Sequence, residues 1–164
     1  MSSRRKRLNR ELLNAVVMRD TVKVRELLSL GADVGARDAE HNETPLILAA
    51  KFADAAMVQL LLDAGAEVNA RDDGGRTPLF FAQVSSEVFK ILLAAGADPH
   101  TRDNEGNTIL MKTVSGSPSL SEVDELLQLG IDASHQNENG KAAVDLADQL
   151  GLVMIVERLT KFGG

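Results

Sequence analysis

The sequence predicts an all-α fold of stacked helix-turn-helix units, and three observations carry that prediction. A small turn marker recurs as GADV at Gly31, GAEV at Gly65, GADP at Gly96 and GIDA at Gly130, at intervals of 34, 31 and 34 residues. A second marker moves in step with it: ETPL with Thr44, RTPL with Thr77, NTIL with Thr108 and KAAV with Ala142. Between the markers, apolar residues fall at helical spacing. A fixed period of this length signals a repeat architecture, in which no unit buries its apolar face alone and neighbours share a continuous core.

Taken in order, residues 1–8 read as a basic flexible tail and 9–162 as a single repeat domain. The first unit, 9–38, holds RELLNAVVMRDTVKVRELLSLGADV, with Leu12, Ala15, Val24, Leu27 and Leu28 facing inward. The second, 39–72, opens at Thr44-Pro45, where Thr caps the first free amides and Pro at the first helical position loses no hydrogen bond. Its second helix places Met57, Val58, Leu61 and Leu62 on one face and stops at Gly65, a residue that tolerates the positive φ found past many helix ends. The third unit, 73–103, is two residues short between its helices (AQVSSEVF). The fourth, 104–136, is one residue longer there, and Gly116 and Pro118 make 115–121 the segment expected to move most. The fifth, 137–162, closes the array with GKAAVDLADQLGLVMIVERLTKFG.

The period and the pattern TPL…A…LL…GADV resemble ankyrin repeats over essentially Leu8 to Lys161, most specifically from Gly65 to Leu79. The resemblance implies an all-α ankyrin-repeat solenoid of five units. Atypical capping repeats would close both ends, and β-hairpin-like fingers would join the units. It departs from the family in the unequal third and fourth units and at one polar position. The family usually carries a His after TPL that bridges neighbouring repeats; here those positions hold Ile47, Phe80, Met111 and Asp145.

Composition narrows the function. There is no cysteine, which removes disulfides, thiol nucleophiles and thiolate metal sites. No apolar stretch reaches the roughly 20 residues of a membrane span, and the N-terminus lacks a signal-peptide pattern. A cytoplasmic location is expected, with nuclear import through Arg4 to Arg7 open in a eukaryotic cell. The net charge is −6, yet five basic residues lie in the first ten, leaving 13 basic against 24 acidic residues. So acidic a domain repels nucleic acid, and 3% aromatics with no Trp or Tyr give few platforms for stacked bases. His41, His100 and His135 have no partner at ligand spacing, the serines lack a nucleophile elbow, and the glycines lack phosphate-loop spacing. Neither catalysis nor a cofactor or metal is expected.

What remains is the fingers. Asp38, Asp72, Asp103 and Asn137 recur at one position and Asn42, Gly75, Gly106 and Gly140 at another; these read as a frame of Asx turns and tight bends. The residues between them vary: Arg37, Glu40, His41 and Glu43; Arg71, Asp73 and Arg76; Arg102, Asn104, Glu105 and Asn107. A fixed frame with varied tips presents side chains at regular spacing along an edge. Arg37, Arg71 and Arg102 form a ladder there, either for a partner or paired to neighbouring carboxylates. In the ankyrin family that edge and the first helices form the concave binding face. The resemblance adds Phe81 and Lys112 at one groove position and Lys51, Phe52 and Val84 a turn later. The reading is a non-catalytic, monomeric module that binds another protein. The alternative is a regulator docking on nucleic acid or an anionic membrane through its basic tail.

Overall fold

The computed structural model describes residues 3–116 and 118–162. Among the described residues ten helices run in order: α1 Ser3–Val17, α2 Thr21–Ser29, α3 Pro45–Lys51, α4 Ala55–Asp63, α5 Pro78–Phe81, α6 Glu87–Ala94, α7 Ile109–Ser115, α8 Leu120–Gln128, α9 Ala143–Gln149 and α10 Val153–Phe162. The chain divides into two compact units, Met1–Ala82 with Ser86–Ala97, and Gln83–Ser85 with Asp98–Gly164. In the first unit, α1 pairs with α2, α3 with α4 and α5 with α6, while α1, α3 and α5 form one layer and α2, α4 and α6 another. In the second, α7 pairs with α8 and α9 with α10, again with like helices adjacent.

The helices start where local chemistry satisfies their free amides. Thr44 and Thr108 hydroxyls accept from the Ile47 and Met111 amides, each at 3.3 Å. Ala142 has no hydroxyl, and only the reciprocal half of a cap survives: its amide donates to Asp145 Oδ2 at 2.7 Å. Second helices begin at Asp20, Asp54, Ser86 and Ser119, whose side chains accept from an amide three residues on. Gly31, Gly65, Gly96 and Gly130 follow the second helices with φ of 92°, 86°, 89° and 76°, the left-handed conformation expected there. The bend between helices of a pair uses Arg19, Ala53 and Ser85 at φ of 56°, 53° and 66°, where a Cβ is strained.

The core of the first unit is built from Leu12, Val24, Leu27, Leu46, Ile47, Met57, Leu61, Phe89 and Leu92, and that of the second from Leu110, Met111, Val114, Val123, Leu126 and Ala147. Ile47, Phe80 and Met111 are buried where the family's bridging His would stand, so apolar contact takes over that position.

No strand forms among the described residues, and one isolated antiparallel bridge joins Arg102 and Thr108, so the β-hairpin-like form expected of the fingers does not extend to paired strands. Each finger closes on a few backbone bonds, such as Asp38 N–H to Glu43 O at 3.0 Å in the first, and Asp72 N–H to Arg76 O and Gly75 N–H to Asp72 O, both at 3.0 Å, in the second. The rest of the closure comes from the Asx side chain, which leaves no run of amides to pair. Residues 3–8 form the opening turns of α1, and Leu8 among them is buried. In the expected loop at 115–121, α7 ends at Ser115 and Ser119 caps α8; residue 117 lies outside the described residues.

Candidate functional site

The fingers are organised by their Asx residues. Asp38 Oδ1 accepts from the amides of Glu40, His41 and Glu43 at 3.1, 2.8 and 3.4 Å. Asp72 Oδ1 accepts from Arg76 N at 2.8 Å. Asp103 Oδ1 takes the Glu105 and Asn107 amides at 3.0 and 2.8 Å, and Asn137 Oδ1 those of Asn139 and Lys141 at 3.0 and 3.1 Å. One carboxylate or amide oxygen thus gathers the amides that a tight bend turns inward. Asn42, Gly75, Gly106 and Gly140 make that bend at φ of 59°, 75°, 76° and 70°. Burial works to raise the Asp38 pKa, but the amide donors of His41, Glu43, Glu40 and Asn42 together hold it below the ordinary aspartate value.

Neighbouring fingers are tied by backbone. The Asp73 amide donates to His41 O at 3.0 Å, and the Glu138 amide to Glu105 O at 2.9 Å. Arg37 adds a side-chain tie, its Nη1 donating to Asn42 O and Arg71 O, both at 2.7 Å. Arg71 Nη1 donates to Gly75 O at 3.1 Å. Two rungs of the arginine ladder therefore brace finger backbones. Arg102 is exposed in the second unit.

Several predicted site residues form one cluster in the first unit. Lys51 Nζ lies 2.7 Å from Glu43 Oε1, and Glu43 is 2% exposed. Arg76 Nη2 lies 2.8 Å from Asp72 Oδ2, which is also buried. Both cations stand over the ring of Phe81, Lys51 at 5.3 Å and Arg76 at 4.9 Å from its centroid. Two buried carboxylates thus hold two half-exposed cations against one half-buried ring. Phe52 ends α3 half-buried, with Arg19 5.7 Å from its ring centroid and donating to its carbonyl at 2.8 Å.

Two members of the predicted binding set are not on a surface. Glu43 is buried beneath Lys51, since the position before the capping Thr points to the helix and not to the tip. Val84 is 3% exposed. Helix α5 ends at Phe81 and Ala82 is extended, so Val84 does not continue the helix face it was aligned to. Glu40, His41, Arg71, Asp73, Asn104 and Glu105 are exposed, and Asn107 is half-buried with its amide on Asp103 Oδ2 at 3.1 Å. Lys112 is half-buried; burial pushes its ammonium below the ordinary lysine pKa and Glu122 pulls the other way.

Asp38, His41 and Glu43 bring potential ligand atoms within 4.8 Å of one another. Two of them already have duties: Asp38 gathers the finger amides and Glu43 holds Lys51. What sequence reasoning missed is a groove of about 910 Å³ beside this finger, walled by α1 residues Lys6, Arg10, Leu13 and Val17. Its signal was the spacing of those residues, four or three apart, across what read as the boundary of a tail.

Among the described residues no helix is long and apolar enough to cross a membrane. A family model described as ankyrin repeats (3 copies) matches residues 12–103. No curated protein matches the chain.

Proposed function

The chain belongs to the ankyrin-repeat family, and on that premise we propose that it is a non-catalytic module holding another protein through its finger tips and the faces of its first helices. Ankyrin repeats are generally protein-interaction modules, and the family is typically non-catalytic. The observation that supports this reading is the division of labour within each finger. Asp38, Asp72, Asp103 and Asn137 carry the closure, and Glu40, His41 and Glu105 are exposed at tips whose backbone is already fixed. Rigid presentation lowers the ordering cost of binding, which is where a loop of this length would otherwise lose affinity.

The test is capture from the native cell by wild type and by the triple variant Glu40→Ala, His41→Ala, Glu105→Ala. The triple variant should lose its partner while its stability stays within about 0.5 kcal/mol, as surface changes do. A control on second helices, Gln59→Ala with Lys90→Ala, should keep the partner. Retention by the tip variant and loss by the control would place the binding face elsewhere.

A further inference from the structure

The groove in the first unit has walls of different chemistry. Lys6, Arg10, Leu13 and Val17 share one face of α1, being four, three and four residues apart. Lys6 and Arg10 are exposed and belong to no ion pair among the described residues, whereas Arg5 and Arg7 are paired to Asp33 and Glu11. Leu48 of α3 adds an apolar floor, and Val17 is 45% exposed at the inner end of the face. Across the groove stand Arg37 and Lys51 together with Asp33, Asp38, Glu40 and Glu43; Arg5 and Lys51 pair with Asp33 and Glu43, Asp38 accepts the finger amides, and Glu40 is exposed at the tip.

We infer that this groove takes an acidic, apolar-anchored peptide segment of a partner protein, with carboxylates on Lys6 and Arg10 and an apolar side chain on Leu13, Val17 and Leu48. The inference rests on the interaction-module reading and names the chemistry of its partner. Charge complementarity supplies the argument. After residue 10 the chain has 13 basic and 24 acidic residues, so cations without a counter-ion on one wall are the exception to its charge, not a sample of it. A carboxylate there gains two cations at once, and a bidentate bond where it meets Arg10. The apolar floor argues against a phosphate backbone, which offers nothing to bury on Leu13 and Val17.

The experiment is titration of the isotope-labelled full chain with three probes, followed by amide shifts: a short peptide of repeating Asp-Leu-Glu, its basic counterpart of Lys-Leu-Arg, and a DNA duplex. The acidic peptide should shift amides within 6–17 and 36–41, and its affinity should fall with added salt. Lys6→Glu with Arg10→Glu should weaken it about tenfold or more, from two surface contacts turned repulsive. Val17→Ser, which adds no charge, should weaken it also, where a purely electrostatic contact would be affected far less. The inference is overturned if the acidic peptide leaves those amides unmoved, or binds the charge-reversed chain as well as wild type. Tighter binding of the basic peptide or of the duplex at the same amides would overturn it too. Its failure is separable from that of the broader reading: partner capture that still depends on Glu105, which does not line this groove, would keep the module and remove the groove.

Discussion

At the scale of the residue, φ above zero decides most of what single positions do. Gly65 has φ of 86° and nothing within 4 Å of where a Cβ would stand, so a substitution meets no clash and the whole penalty is backbone strain. Gly65→Val should destabilise by about 1–3 kcal/mol in chemical denaturation. A variant as stable as wild type would remove the helix-stop role. The opposite change is available at Ala53, φ 53°, where the strain is already present. Ala53→Gly relieves about 1–2 kcal/mol of left-handed strain and gives back part of it through a more flexible unfolded chain. A net gain of about 0.5 kcal/mol is the expected result, and a loss would show that Ala53 is not strained. Asp38 adds a pH dependence. Its folded pKa is depressed, so its stabilisation is complete above the ordinary aspartate pKa and is lost as pH falls from there through the folded value. Asp38→Asn keeps an acceptor, as Asn137 does in its own finger, but does not titrate. Thermal midpoints of wild type should fall more than those of Asp38→Asn over that acid range. The glycine stops and the Asx frame were legible in the sequence because φ preference and side-chain acceptors are local properties. The strain at Arg19, Ala53 and Ser85 was not, because nothing about those residue types marks a left-handed bend.

At the scale of the element, the cluster on α3 and α5 shows what register alone leaves undecided. Aligning the repeats puts Lys51 and Phe81 on first helices and Arg76 in a finger, and the structure brings the three together. The alignment cannot say that Glu43 and Asp72 sit buried beneath them, since that depends on where each carboxylate points. The burial matters energetically. An exposed pair contributes about 0–1 kcal/mol, whereas removing one partner of a buried charge leaves the other desolvated at a cost of several kcal/mol. The Glu43–Lys51 pair lies between these limits, with Glu43 buried and Lys51 36% exposed. Lys51→Met should therefore cost more than a surface change, and Glu43→Gln with Lys51→Met should recover part of the loss. A double-mutant cycle should give a coupling of at least about 1 kcal/mol. Strict additivity would mean that Lys51 is only a solvated cation and stands ready for a partner. Helix α5 makes the same point for Val84. The two-residue shortening was visible in the sequence, but its consequence, a four-residue helix that ends before Val84, needed the backbone.

At the scale of the whole molecule, the question is what the concentrated positive charge of the first ten residues is attached to. A run of Arg and Lys with no apolar residue between Met1 and Leu8 reads as a tail, because periodicity has nothing to register on. The fold changes that. Leu8 is 5% exposed, α1 starts at Ser3, and α1 packs on both α2 and α3. In a repeat array stability is approximately a sum of unit and nearest-neighbour contributions, so an end unit that frays also weakens the unit beside it. Deleting residues 1–8 removes the Leu8 side chain and two turns of helix. Burying a leucine contributes about 1.5–3 kcal/mol, and a loss of about 2 kcal/mol is expected on unfolding the shortened chain. Amides of α1 and α3 should exchange faster in it. The charge can be separated from the helix: Arg4, Lys6, Arg7 and Arg10 are all exposed, and replacing the four with Gln should keep stability within about 0.5 kcal/mol. The two variants then divide the possibilities. If the shortened chain unfolds like wild type, residues 3–8 are bystanders and the basic run is the tail its composition suggested. If the Gln variant is destabilised as much as the deletion, the charges themselves hold α1, and they are not held in reserve for a partner.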